Sequence, residues 1–246
     1  MIAKQIEEAL KDLRNDEQAT QLSRYFKTAP GEYGYGDSFL GIRVPSVRAI
    51  VKQYRTNAEV EDFKYLVQSP WHEIRLAAFL LLLEIYNHQK KKKLRDAESV
   101  VQLYIENLRY GNNWDLVDLV APNILGDWLV SHPHERYILL SLSDSDILWE
   151  QRVAIVSTLA LVRKGIFDPT LELAGRFLAH PHDLMHKATG WLLREVGKYG
   201  GRDRLEDFLE RYADVMPRTS LRYALEHFEP EEKLYYMSLK KKNIKQ

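Results

Sequence analysis

Apolar residues recur at helical spacing along most of the chain. After Pro70, the residues Ile74, Ala77, Ala78, Leu81, Leu82 and Ile85 fall at i, i+3, i+4, i+7, i+8 and i+11. Phe79, Leu80 and Leu83 widen that stripe, and a helix so apolar all round is predicted to lie sandwiched between neighbours. No run shows period-two alternation bounded by hairpin turns, so strands are not expected. The exception to helicity is Thr28 to Pro45, rich in Gly and Tyr, which reads as a structured loop.

The prolines punctuate this pattern. Pro133 and Pro169 stand 36 residues apart, and so do Pro181 and Pro217. Proline is tolerated in the first turn of a helix and rarely deeper, so two interleaved series of one period suggest a helix–turn–helix unit of that length. The segments HEIRLAAFLLLL, WEQRVAIVSTLA and MHKATGWLLREV align, with Arg75, Arg152 and Lys187 near the same early position and Arg222 a further 35 residues on. The predicted fold is all-α: a curved solenoid of HEAT-like helix-pair repeats, an α-α superhelix, running as one domain over residues 1–240. Residues 241–246 form a basic tail.

Composition narrows the function classes. The 246 residues carry 35 basic and 35 acidic side chains, so nucleic-acid binding would need charge segregated onto one face. The absence of cysteine excludes disulfides, thiolate nucleophiles and zinc knuckles. The first residues, MIAKQIEEALKDLRND, read as a charged amphipathic helix rather than a signal peptide, and the apolar run Leu76–Leu83 is too short to span a bilayer. A cytoplasmic location is the expectation. The run Lys90–Lys93 reads as a solvated loop.

Candidate chemistry concentrates in three places. Asn113 is a good N-cap, so Trp114 is predicted to open a helix through NNWDLVDLVAPNILGDWL, with Leu116, Val117, Val120 and Ile124 on its core face. Trp114 and Asp118, four apart, share a different face, either as a site or as an exposed Trp beside a solvated acid. Asp115 reads as a first-turn acid complementing the helix dipole. On the helix around Lys187, the core face is Leu184, Ala188, Leu192 and Val196. Lys187, Trp191 and Arg194 make an adjacent stripe, suited to a phosphate and a flat ring or to packing with snorkelling charges. Arg152 shares the apolar face of its helix and must pair with an acid or reach a ligand anion. The His-Pro-His triplets at 132–134 and 180–182 lack a third or fourth ligand nearby, so no metal is assigned.

In order along the chain, RYFKTAPGEYGYGDSFLGIRVP, NNWDLVD, WEQR, KATGWLLRE and MPRTSLRYALEHF resemble the AlkD-like DNA alkylation-repair glycosylases. The resemblance runs from about Tyr25 to the last helices. It implies a catalytic Asp at Asp118, tryptophans that cradle the lesion's sugar and backbone at Trp114 and Trp191, and a phosphate-binding Arg at Arg152. It puts Tyr25 and Arg194 near the lesion or the DNA backbone. Lys187, Arg75 and Arg222 join the DNA-binding set through their repeat position. The implied partner is double-stranded DNA carrying alkylated purines, engaged by a monomer without cofactor or membrane. The loop PGEYGYGD is shorter in some relatives. Two other readings remain at this point: a non-catalytic DNA-binding relative, and a protein-interaction array.

Overall fold

In the computed structural model, which describes residues 1–92 and 97–239, the regular structure is helical; the described residues form no strand, only an isolated bridge between Ser38 and Trp71. The fold is all-α, of the α-α solenoid class. The chain packs as two compact units that meet in sequence between Val120 and Ala121, where the sequence pattern suggests one continuous array. The basic tail, with Lys93 of the lysine run, lies outside the described residues. Lys90 and Lys91 belong to a helix rather than to a loop. No helix among the described residues is long and apolar enough to cross a membrane.

The first unit contains α1 (Ile2–Lys11), α2 (Asp16–Tyr25), α3 (Val44–Tyr54), α4 (Val60–Leu66), α5 (His72–Lys91), α6 (Ala97–Glu106) and α7 (Trp114–Asp118). Its axis is α5, buried on all sides from His72 to Leu82 as its pattern predicts, with α1, α3, α4, α6 and α7 packed around it. Capping sets the ends. Asn15 accepts the Gln18 N–H ahead of α2, and Glu59 and Asp62 form a capping box on α4. Asp62 also accepts the Ala3 N–H at 2.8 Å, tying α1 to α4.

The Gly- and Tyr-rich segment is ordered by one buried carboxylate. Glu73 of α5 accepts the N–H groups of Leu40, Gly41 and Ile42 at 2.8–3.0 Å, which satisfies three backbone donors that no helix or sheet would pair. Gly41 is required there: its φ is +85°, and a Cβ would stand 2.0 Å from the Asn15 carbonyl oxygen.

The second unit contains α8 (Leu125–Ser131), α9 (Tyr137–Ser143), α10 (Leu148–Val162), α11 (Asp168–Arg176), α12 (Asp183–Lys198), α13 (Arg202–Tyr212), α14 (Arg218–Ala224) and α15 (Pro230–Ser238). Helix α10 packs on α8, α9, α11 and α12, and α12 packs on α11, α13 and α14. The three similar segments are thus α5, α10 and α12, each largely enclosed within its unit. Gly190 lets α12 and α14 close together, since a Cβ there would stand 2.4 Å from the Ser220 carbonyl oxygen. The prolines mark beginnings, as predicted: Pro169 in the first turn of α11, Pro217 at the N-cap of α14, Pro181 just before α12, and Pro133 in a 3-10 turn after α8.

One predicted helix is broken. Residues 114–131 form α7, a 3-10 turn at Ala121–Asn123, and α8. Pro122 has no N–H for a carbonyl four residues back and its ring crowds that carbonyl, so a helix cannot run through it undisturbed. The predicted core face nevertheless holds, with Leu116, Val117, Val120 and Ile124 all buried.

Candidate active site

Helix α7 begins where the sequence predicts. The Asn113 side chain accepts the Trp114 N–H at 2.9 Å, and Asn113 itself is fully buried. Trp114 and Asp118, one turn apart, are half-buried and line one cavity of about 350 Å³. Its walls are mainly apolar: Leu22, Tyr25, Phe26, Phe39, Ile42 and Leu119 contribute, with His72, Glu73 and Asp115 among the polar groups. Tyr25 is 63% exposed and meets Trp114 edge-on, with 6.0 Å between ring centroids.

The aromatic wall continues inward. Phe26 stacks on Trp114 at 5.3 Å and on Phe39 at 5.2 Å, and Phe39 stacks on the His72 ring at 4.5 Å. His72 is 1% exposed. Its Nδ1 lies 2.8 Å from Asp37 and its Nε2 2.9 Å from Asp115. An ionised carboxylate can only accept, so a ring that bonds two of them must donate from both nitrogens and is an imidazolium. Burial opposes that charge, but Asp115 and Asp37 outweigh it and raise the pKa of His72 to about 9. Burial likewise opposes the charge on Asp37, and here His72 and Arg75 outweigh it and lower its pKa. The face of Phe39 adds quadrupolar attraction for the cation.

Arg75, one turn along α5, completes the cluster. Its Nη2 donates to Asp37 at 2.6 Å and to Asn112 Oδ1 at 2.9 Å, Nη1 donates to the Ser69 carbonyl at 3.0 Å, and Nε to the Tyr110 carbonyl at 3.3 Å. The guanidinium is therefore buried, with each of its three nitrogens bonded to protein. That corrects the expectation that Arg75 lies on a DNA-facing surface. Asp115 is the first-turn acid of α7 that its position predicts, but its side chain is also buried and bonded to His72, with its other oxygen on the Leu116 N–H. Neither His72 nor Asp37 was legible as part of the site, because the partners lie 35 and 43 residues apart in sequence.

The remaining candidates belong to the second unit. Arg152 is 5% exposed on α10, and its Nη1 donates to the Leu184 carbonyl at 2.7 Å. Its expected outward reach toward a phosphate thus disagrees with its placement, because the side chain is turned to the start of α12. On α12, Trp191 is half-buried, Lys187 pairs with Asp183 at 2.8 Å, and Arg194 is held by Glu195 at 3.0 Å and by Glu226. Leu184, expected in the core of α12, is only half-buried, while Ala188, Leu192 and Val196 are buried as predicted. Arg222 is exposed in the last turn of α14.

The His-Pro-His triplets do local work. The His132 ring stacks on Trp128 at 3.5 Å. His182 caps α12 by accepting the Leu184 N–H, and His180 accepts the His182 N–H. Burial lowers the pKa of both His180 and His182, which suits imidazoles that must keep a nitrogen free to accept.

Comparison with known proteins gives a consistent picture. A family model described as "DNA alkylation repair enzyme" matches residues 6–228. No curated protein matches the chain. A solved structure described as a "Predicted DNA alkylation repair enzyme from Enterococcus faecalis" is 21% identical, covering 88% of this chain and 97% of that one, with a TM-score of 0.69. At that identity the likeness establishes a shared fold.

Proposed function

Because the chain belongs to the DNA alkylation repair enzyme family, we propose that it is a monofunctional DNA glycosylase that hydrolyses the N-glycosidic bond of purines alkylated at N3 or N7 in duplex DNA. The observation that carries this reading is the convergence of Asp118, Trp114 and Tyr25 on one cavity in a chain of that family. An N3- or N7-alkylated purine is cationic and already a good leaving group. What needs stabilising is the positive charge that grows on the deoxyribose as the bond breaks. The Asp118 carboxylate stabilises that charge and orients the attacking water, and the face of Trp114 adds attraction for the same cation. The reaction needs no cofactor and no Schiff-base lysine.

The base leaves without being drawn into a recognition pocket. Enzymes that flip a base read it by hydrogen bonds to its edge. Here the polar groups along the cavity wall are committed elsewhere: Glu73 to backbone N–H groups, and His72 and Asp115 to each other. A largely apolar wall in which His72, Glu73 and Asp115 are already bonded to protein suits an enzyme that works on the sugar from the backbone side. Lys187, Arg194, Arg222 and Tyr25 supply contacts to the duplex.

The test is product analysis in EDTA. Wild-type protein is expected to release free 7-methylguanine from duplex DNA and to leave an abasic site. Bound DNA with no base released would replace this reading with a non-catalytic DNA-binding one. Excision should also tolerate a bulky N7 substituent; release of methylated but not bulky adducts would contradict catalysis without an enclosing pocket.

A further inference from the structure

Helix α7 carries Trp114 and Asp118, yet it is only five residues long. A helix that short has no stability of its own in water, so its orientation comes from tertiary contacts. Burial of Leu116 and Val117 is strong but non-directional. The directional contacts come from α5. His72 holds the Asp115 carboxylate, and Arg75 holds Asn112 and the Tyr110 carbonyl in the run leading into α7. Both side chains share Asp37 at their other end, so the same cluster anchors α7 and the Gly- and Tyr-rich loop to one rigid helix.

We propose that His72 and Arg75 are positioning residues for the candidate reaction: through Asp115 and Asn112 they fix the tilt and register of α7, and thereby aim Asp118. This inference rests on the glycosylase reading of Asp118. The charge pattern is what makes the arrangement specific. Two cations, His72 and Arg75, face two anions, Asp37 and Asp115, while the neighbouring Glu73 is turned to the backbone of residues 40–42. These four groups together are neutral, and each is paired within the set. Loss of the imidazolium leaves two buried carboxylates without their common partner, which can be relieved only by protonation or by moving α7. Asp118 lies one turn beyond Asp115, so it moves with the helix. A displacement of about 1 Å in a group acting on the transition state costs on the order of 10²-fold in rate.

The experiment compares His72→Gln, Asp115→Asn and the double variant with wild type. Base release is measured in single turnover, and duplex affinity is measured separately. Each single variant is expected to lose on the order of 10- to 100-fold in rate while affinity stays within about threefold. The double variant should be no slower than the worse single one, because both changes remove one linkage. Leu209→Ala, which opens a cavity among buried residues of the second unit, serves as a stability control and should leave the rate within about twofold. Nitrogen NMR of the wild type should show both ring nitrogens of His72 protonated at neutral pH, and the α7 amides should shift in His72→Gln.

Wild-type rates in a folded His72→Gln variant would overturn the proposal, as would multiplicative losses in the double variant. Should the single variants fail to fold, the double variant carries the rate test: a loss of rate supports the proposal and a wild-type rate overturns it. If wild type releases no base, the glycosylase reading fails instead. The α7 amides then decide: displaced in His72→Gln, they support positioning, and unmoved, they contradict it.

Discussion

His72 couples a protonation to the fold. Its pKa in the folded chain is about 9, against an ordinary value of 6.5. A raised pKa means that the folded state holds the proton more tightly than the unfolded one. The resulting stability is fully present below about pH 6.5, declines above it, and is gone once pH passes about 9. Asp37 works in the opposite sense: its pKa is lowered, so its contribution is present above the ordinary carboxylate value and is lost as the pH falls through the folded pKa. Thermal melts should therefore show a Tm that falls between neutral pH and pH 9 in wild type, with a shallower fall in His72→Gln. Parallel curves would place that pH dependence in other groups. At this scale the sequence is only partly readable. Trp114 and Asp118 stand out because a four-residue spacing puts an aromatic and an acid together. Asp115 does not, because an acid in a first turn has an adequate local explanation, and only the fold brings His72 against it.

Among the elements, the long ones were legible and the short ones were not. The pattern of α5 predicts a helix buried all round, and the structure agrees, because periodicity over twenty residues averages out local exceptions. The stretch after Asn113 keeps its periodic core face across Pro122, so the pattern continues while the hydrogen bonding does not. The result leaves α7 short and dependent on its cap and its anchors. Asn113→Ala should cost about 0.5–2 kcal/mol of stability as the cap is lost, read by denaturant titration. An unchanged midpoint would mean that packing alone holds the start of α7. Gly190→Val tests the close approach of α12 and α14, where overpacking should cost about 1–3 kcal/mol or more. A neutral result would mean that the two helices separate easily.

For the whole molecule, a net charge of zero means that DNA affinity depends on where the cations are and whether they are already paired. Arg75, Arg152, Lys187 and Arg222 recur at similar spacing along the sequence, but their surroundings differ. Arg75 and Arg152 are buried, whereas Lys187 and Arg222 reach solvent. Sequence spacing carries no information on burial or partners, which is why the four look alike before the fold is known. Arg222→Ala should reduce the slope of log affinity against log salt by about 0.9 if it meets a phosphate. Arg75→Ala should leave that slope unchanged and lower the Tm sharply, since it removes one of the two cations that hold the buried Asp37 side chain. The reverse pattern would return Arg75 to the DNA surface.

The most direct test of the account is single-turnover release of 7-methylguanine from duplex DNA by wild type and by Asp118→Asn, with duplex affinity measured in parallel. The rate is expected to be lower by roughly 10²-fold or more in the variant, with little change in affinity. Release at the wild-type rate, or equal losses of rate and affinity, would contradict it.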